Sequence, residues 1–111
     1  MNFSERRIGD IIILDLSGNL MGGPEAVTIN DTVNRLLDNG VYKLIINMAE
    51  VERINSSGLG ILIKALTTFK RNGGELKLAR LNPKVENLLV MTKLDTILES
   101  FESEEAAINN F

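Results

Sequence analysis

Histidine, cysteine and tryptophan are absent from this 111-residue chain, and there are only two prolines and one tyrosine. Each absence removes a class of function. Without cysteine there is no disulfide framework, no thiolate zinc site and no thiol nucleophile, and nothing calls for an oxidising compartment. Without histidine the chain lacks both the side chain used most often for proton transfer near neutral pH and the commonest metal ligand. Most hydrolytic mechanisms lose their usual base. Long apolar runs are also missing: no window approaches the roughly 20 apolar residues of a membrane-spanning helix. The opening Met1-Asn2-Phe3-Ser4-Glu5-Arg6-Arg7 has no apolar stretch after its charges, so neither signal peptide nor membrane insertion is expected. With a net charge of −3 and lysines and arginines scattered along the chain, no basic footprint for a phosphate backbone forms, and nucleic acid is not an expected partner.

What is present is ordinary globular composition, 44% hydrophobic and 24% charged. That suffices for a chain of this size to bury a core without metal or disulfides. A single domain over residues 1–111 with a cytoplasmic setting is the expectation.

Periodicity supplies the elements. Strands are read over Phe3–Ile8 and Asp10–Gly18, joined by a Gly9-Asp10 turn in which glycine takes the positive φ. The run Ile11–Leu16 predicts a central strand buried on both faces. After the loop Asn19–Pro24, Pro24 is suited to the first helical position and Glu25 complements the helix's positive end. Ala26, Ile29, Val33, Leu36 and Leu37 give this helix one apolar stripe, and Gly40 stops it. Tyr42–Asn47 reads as a short strand followed by a polar segment, Met48–Ile54. Leu59, Leu62, Ile63, Leu66 and Phe69 recur at helical spacing up to the break at Gly73-Gly74. A strand over Glu75–Leu81, a helix opened by Asn82-Pro83, a short last strand over Thr96–Phe101 and a final turn capped by Ser103 complete the series. Strands alternating with helices predict an α/β fold: a mixed sheet of about five strands, mostly parallel with an antiparallel N-terminal hairpin, and about four helices.

One local pattern stands out, Asn55-Ser56-Ser57-Gly58-Leu59-Gly60 at a helix start. Polar residues there commonly cap orphan N–H groups, so a plain N-cap is one reading and a regulatory hydroxyl the other. Gly58 and Gly60 each cost about 1 kcal/mol inside a helix, which calls for close approach of either a partner or the chain's own sheet. Gly58-Leu59-Gly60 as a phosphate-cradling turn is a third reading. It is weak, because Ile63 stands where the motif needs its last glycine and no Gly-Lys-Ser/Thr follows.

The run from Asn47 through Glu50, Ile54 and Asn55 to Gly60, with the element order, resembles the signature of STAS domains of the anti-sigma-factor antagonist type. The resemblance implies a non-enzymatic regulatory module with no cofactor. Its partner would be an anti-sigma factor that is also a serine kinase, and a matching phosphatase would reverse the modification. By match, Ser57 is the implied phosphoacceptor, and Met21, Gly22, Asn55, Ser56, Gly58 and Leu59 are the implied partner contacts. The family usually has aspartate where this chain has Met21, Asn47 and Asn55, so the acidic character of the site is gone. A constitutive docking subunit of a transporter ATPase or a larger signalling complex is the alternative. Monomer and weak dimer are both open.

Overall fold

A computed structural model describes residues 2–111. The chain begins as a hairpin: β1 (Asn2–Ile8) pairs antiparallel with β2 (Ile11–Leu20), and Gly9 turns it at φ 62. Then come α1 (Pro24–Asp38), β3 (Lys43–Ile54), α2 (Ser56–Arg71), β4 (Glu75–Ala79), α3 (Pro83–Met91), β5 (Ser100–Phe101) and α4 (Glu104–Ile108). The sheet order is β1-β2-β3-β4-β5, and every pairing after the hairpin is parallel. This is the mixed α/β sheet expected from the sequence.

Because each crossover steps one strand in the same direction, right-handed connections put α1, α2 and α3 on one face of the sheet. Their buried residues share one core with Leu14, Leu16, Leu44, Ile46, Met48 and Leu78. Phe69, fully buried, is the largest side chain in it. On α1, the stripe is not quite the expected one: Ala26 and Leu37 are only partly buried, and Thr32 is buried instead. Its hydroxyl donates to the Thr28 carbonyl at 2.9 Å, which removes the penalty of burying it.

The strand boundaries differ from the sequence reading. β2 runs past Gly18 to Leu20, which is fully buried. β3 does not stop at Asn47 but runs to Ile54, because Met48 and Val51 are core residues at 0% and 1% exposure. Register shifts between Asp15 and Ser17 and between Gly18 and Asn19 break the strict alternation there, and the exposed Glu50, Glu52 and Arg53 make the segment look polar. β4 ends at Ala79, since Arg80 takes φ 60. The expected strand over Thr96–Phe101 shrinks to two residues. A 3-10 turn over Leu94–Thr96 comes first, and the Leu98 N–H donates to the Leu94 carbonyl at 2.8 Å, burying Leu98 by helical spacing.

Among the described residues, α4 is the helix that covers the other face of the sheet. Ile11, Ile13, Ile45 and Ala79 meet Ala107 there, with Phe101, Ile108 and Phe111 packed around them. Lys77 is 3% exposed on this face, paired with Glu99 at 3.1 Å, and its ammonium lies 5.1 Å from the Phe111 ring centre. Ser103 caps α4 as the sequence suggests, accepting from the Ala106 N–H at 3.1 Å. A polar cluster pins the helix. Arg6 donates twice to Asp15, at 2.6 and 2.8 Å, and also to Glu104, which accepts from Asn47 as well.

The Arg6 guanidinium, and after it the Asn47 amide, holds the Glu104 carboxyl below its ordinary value of 4.5. A carboxyl depressed in the folded state adds stability above its unfolded value and loses it as pH falls through the folded one. Glu104→Gln should therefore lower the melting temperature at neutral pH. The gap to the parent should close on acidification below 4.5. Melting curves of both proteins across that range check this; a gap that stays constant would sever the link between Glu104 and acid sensitivity.

Candidate functional site

β2 and β3 end together, Leu20 still paired with Ile54, at the C-terminal edge of the parallel strands where α/β proteins build their sites. Two segments meet just beyond that pair: the loop Met21-Gly22-Gly23 before α1, and Asn55 with the first turn of α2. Gly22 and Gly23 take φ 102 and 70, so the loop has a backbone path that L side chains rarely follow.

Asn55 joins the two segments. Its Oδ1 accepts from the Gly58 N–H at 2.8 Å, capping α2, while its Nδ2 donates to the Met21 carbonyl at 3.0 Å. An aspartate could do the first and not the second, which is a physical reason for asparagine here. Because Asn55 is the cap, neither serine is needed for that task. Ser56 and Ser57 are exposed, and among the described residues neither hydroxyl has a hydrogen-bond partner within the chain. Ser57 sits in the first turn of α2 with the loop folded over it: a side-chain carbon built on Gly22 would lie 2.8 Å from Ser57 Cβ and 3.6 Å from Oγ. Met21 stands at the rim, 45% exposed. The structure thus brings Met21, Gly22, Asn55, Ser56 and Ser57 together at one surface.

Two expected contact residues are not on that surface. Leu59 is 4% exposed and belongs to the main core, and Gly58 is buried. A carbon built on Gly58 would fall 2.1 Å from the Leu20 carbonyl oxygen, so this glycine answers to the chain's own sheet. Both support the site from beneath. Asn47 is elsewhere altogether. It is 5% exposed, donates to Glu104, and accepts from the Ala49 N–H at 2.9 Å on the α4 side of the sheet. Aspartate at that position would face Glu104 with like charge, whereas the amide donates to it.

A sequence profile for the family described as STAS domain matches residues 2–107. The chain belongs to the STAS domain family. This STAS domain is 31% identical over 75 residues to a candidate anti-sigma factor antagonist of Thermotoga maritima, a match spanning 68% of this chain and 66% of that relative. It is 25% identical over 103 residues to an anti-sigma F factor antagonist of Paenibacillus polymyxa, covering 88% and 84% of the two chains. Among solved structures it is similar to a crystal structure of a candidate anti-sigma factor antagonist from Thermotoga maritima. That similarity has a TM-score of 0.89 at 26% identity, with 97% and 92% of the chains covered. Among the described residues of this STAS domain, no helix is long and apolar enough to cross a membrane.

Sequence reasoning missed the surroundings of the serine. A groove of about 310 Å³ opens between α1 and α2 with Ser57 at its border, and Gly60 and Lys64 along it. On the other flank, Arg53 and Lys84 line a depression shared with Met21. The helical spacing of Ser57, Gly60 and Lys64 is visible in the sequence. The packing angle of α1 that turns this line into a groove is not.

Proposed function

We propose that this chain is an anti-sigma-factor antagonist: a non-enzymatic module, acting as one domain, that binds an anti-sigma factor with serine-kinase activity and is released when that kinase phosphorylates Ser57. The observation that carries this reading is the idle hydroxyl. Ser57 is exposed at a helix start that Asn55 already caps, and its hydroxyl has no hydrogen-bond partner among the described residues. The family membership and the names of its relatives support the partner class.

The chemistry is that of a charge switch at an interface. A phosphate brings about −1.5 to −2 charges and three acceptor oxygens. On Ser57 it lies beside the positive end of α2, so the domain itself tolerates it. A partner seated over Met21, Gly22 and Ser57 must strip water from that charge or repel it, and either one weakens docking. Met21, with an unbranched and adaptable side chain, supplies the apolar contact at the rim.

The function is tested by adding the unmodified chain to a complex of the host's kinase-type anti-sigma factor and its sigma factor, and following sigma release by size-exclusion chromatography. Stoichiometric release is expected. A chain that neither binds the anti-sigma factor nor releases sigma overturns the antagonist reading and leaves the constitutive docking subunit in its place.

A further inference from the structure

The two glycines of the first turn of α2 have different causes. Gly58 is demanded from inside, by Leu20. Gly60 is not: it is exposed, and a carbon built on it would meet nothing within 4 Å. Gly60 therefore weakens the helix without relieving any internal clash, which directs attention to the surface it faces. Gly60 lies in the groove between α1 and α2, whose walls include Val27, 63% exposed, and Ile61. Lys64 is the one charged side chain lining it, and it forms no ion pair among the described residues.

We propose that this groove receives a helix of the partner protein, one apolar side chain seated over Gly60 and a carboxylate one turn further on paired with Lys64. Gly60 and Lys64 are four residues apart, so they stand about 6 Å apart along α2, the spacing of an apolar residue and a glutamate at i and i+4 on a facing helix. Apolar walls ending in a single unpaired cation match that pattern and disfavour a basic partner helix. Asn30, also lining the groove, leaves its side-chain amide available for the partner's backbone. Ser57 borders the same groove, so a phosphate there would stand at the entrance used by the apolar anchor.

This inference rests on the antagonist reading only for the partner's identity, and its test needs neither kinase nor phosphate. The ¹⁵N-labelled chain is titrated to millimolar concentration with a capped alanine-rich helical peptide carrying Leu at one position and Glu four residues on. The expected result is a set of amide shifts confined to residues 26–30 and 57–65, lost in Gly60→Leu. In Lys64→Glu they weaken about fivefold and are restored when the peptide's Glu is replaced by Lys. Gly60→Ala, which the backbone accepts without a clash, serves as the second variant: it should melt higher than the parent yet bind the peptide more weakly. Silent groove amides, or shifts indifferent to both positions, overturn the groove as a docking site while leaving the role of Ser57 untouched.

Discussion

Ser57→Asp should lower affinity for the anti-sigma factor by about 30- to 1000-fold, a loss of about 2–4 kcal/mol, whereas Ser57→Ala should stay within about threefold of the parent. The asymmetry follows from the hydroxyl's idleness. Among the described residues it has no hydrogen-bond partner, so its removal breaks nothing there, but a carboxylate at the same place must be desolvated when the partner closes over Met21 and Gly22. The same substitution should leave the fold intact. A negative charge in the first turn of α2 interacts with the helix dipole to the benefit of the free domain, by about 0.3–1 kcal/mol. Lost binding with an unchanged or raised melting temperature therefore separates a switch from an unfolded mutant. Equal affinity of the Asp and Ala variants, measured by calorimetry against the same partner, would remove the charge-switch mechanism.

The second large effect concerns the support beneath the site. Gly58→Ala should destabilise the fold by about 3 kcal/mol and lower the melting temperature by about 10 °C or more. The reason is geometric: the added carbon falls 2.1 Å from the Leu20 carbonyl oxygen and 2.8 Å from Ile54 Cγ1. The first of these is backbone and cannot rotate away. To make room, α2 must shift off the end of β2, which would also stretch the Asn55 bridge to Met21. Urea denaturation of the variant, with the Gly60→Ala protein as comparison, measures this directly. Two neighbouring Gly→Ala changes of opposite sign are expected, and a Gly58→Ala protein as stable as the parent would mean that Leu20 does not hold this helix so closely.

Much of this architecture was legible in the sequence where local chemistry decides. The Gly9-Asp10 hairpin, the stop at Gly40, the Asn82-Pro83 start and the Ser103 cap each rest on a backbone preference that a few letters express. The full length of β3 was not, because its bulged pairing with β2 scrambles the period-two pattern, and β5 was not, because a 3-10 turn and the Leu98 N–H bond back to the Leu94 carbonyl take up the start of the segment read as a strand. At the site, the motif pointed to Ser57, but the division of labour needed coordinates. Only the hydrogen bonds show that Asn55 caps and leaves Ser57 idle. For Leu59, which the apolar stripe and the motif assign to opposite sides, and for Gly58, burial decides for the core, and the hydrogen bonds of Asn47 tie it to α4 instead of the serine. Asparagine at 47 and 55 reads in the sequence as lost acidity; in the structure each side-chain amide donates a hydrogen bond that aspartate could not make.

One phosphate on Ser57 should separate this domain from its partner. The decisive experiment is to phosphorylate the chain with the host's anti-sigma kinase and ATP, map the modification by mass spectrometry, and titrate the purified phosphorylated and unmodified forms against that kinase. A single phosphate is expected in the peptide spanning Asn55–Lys64, located on Ser57, with binding weaker by at least about 30-fold in the modified form. A phosphate placed elsewhere, or two forms that bind alike, would contradict this expectation.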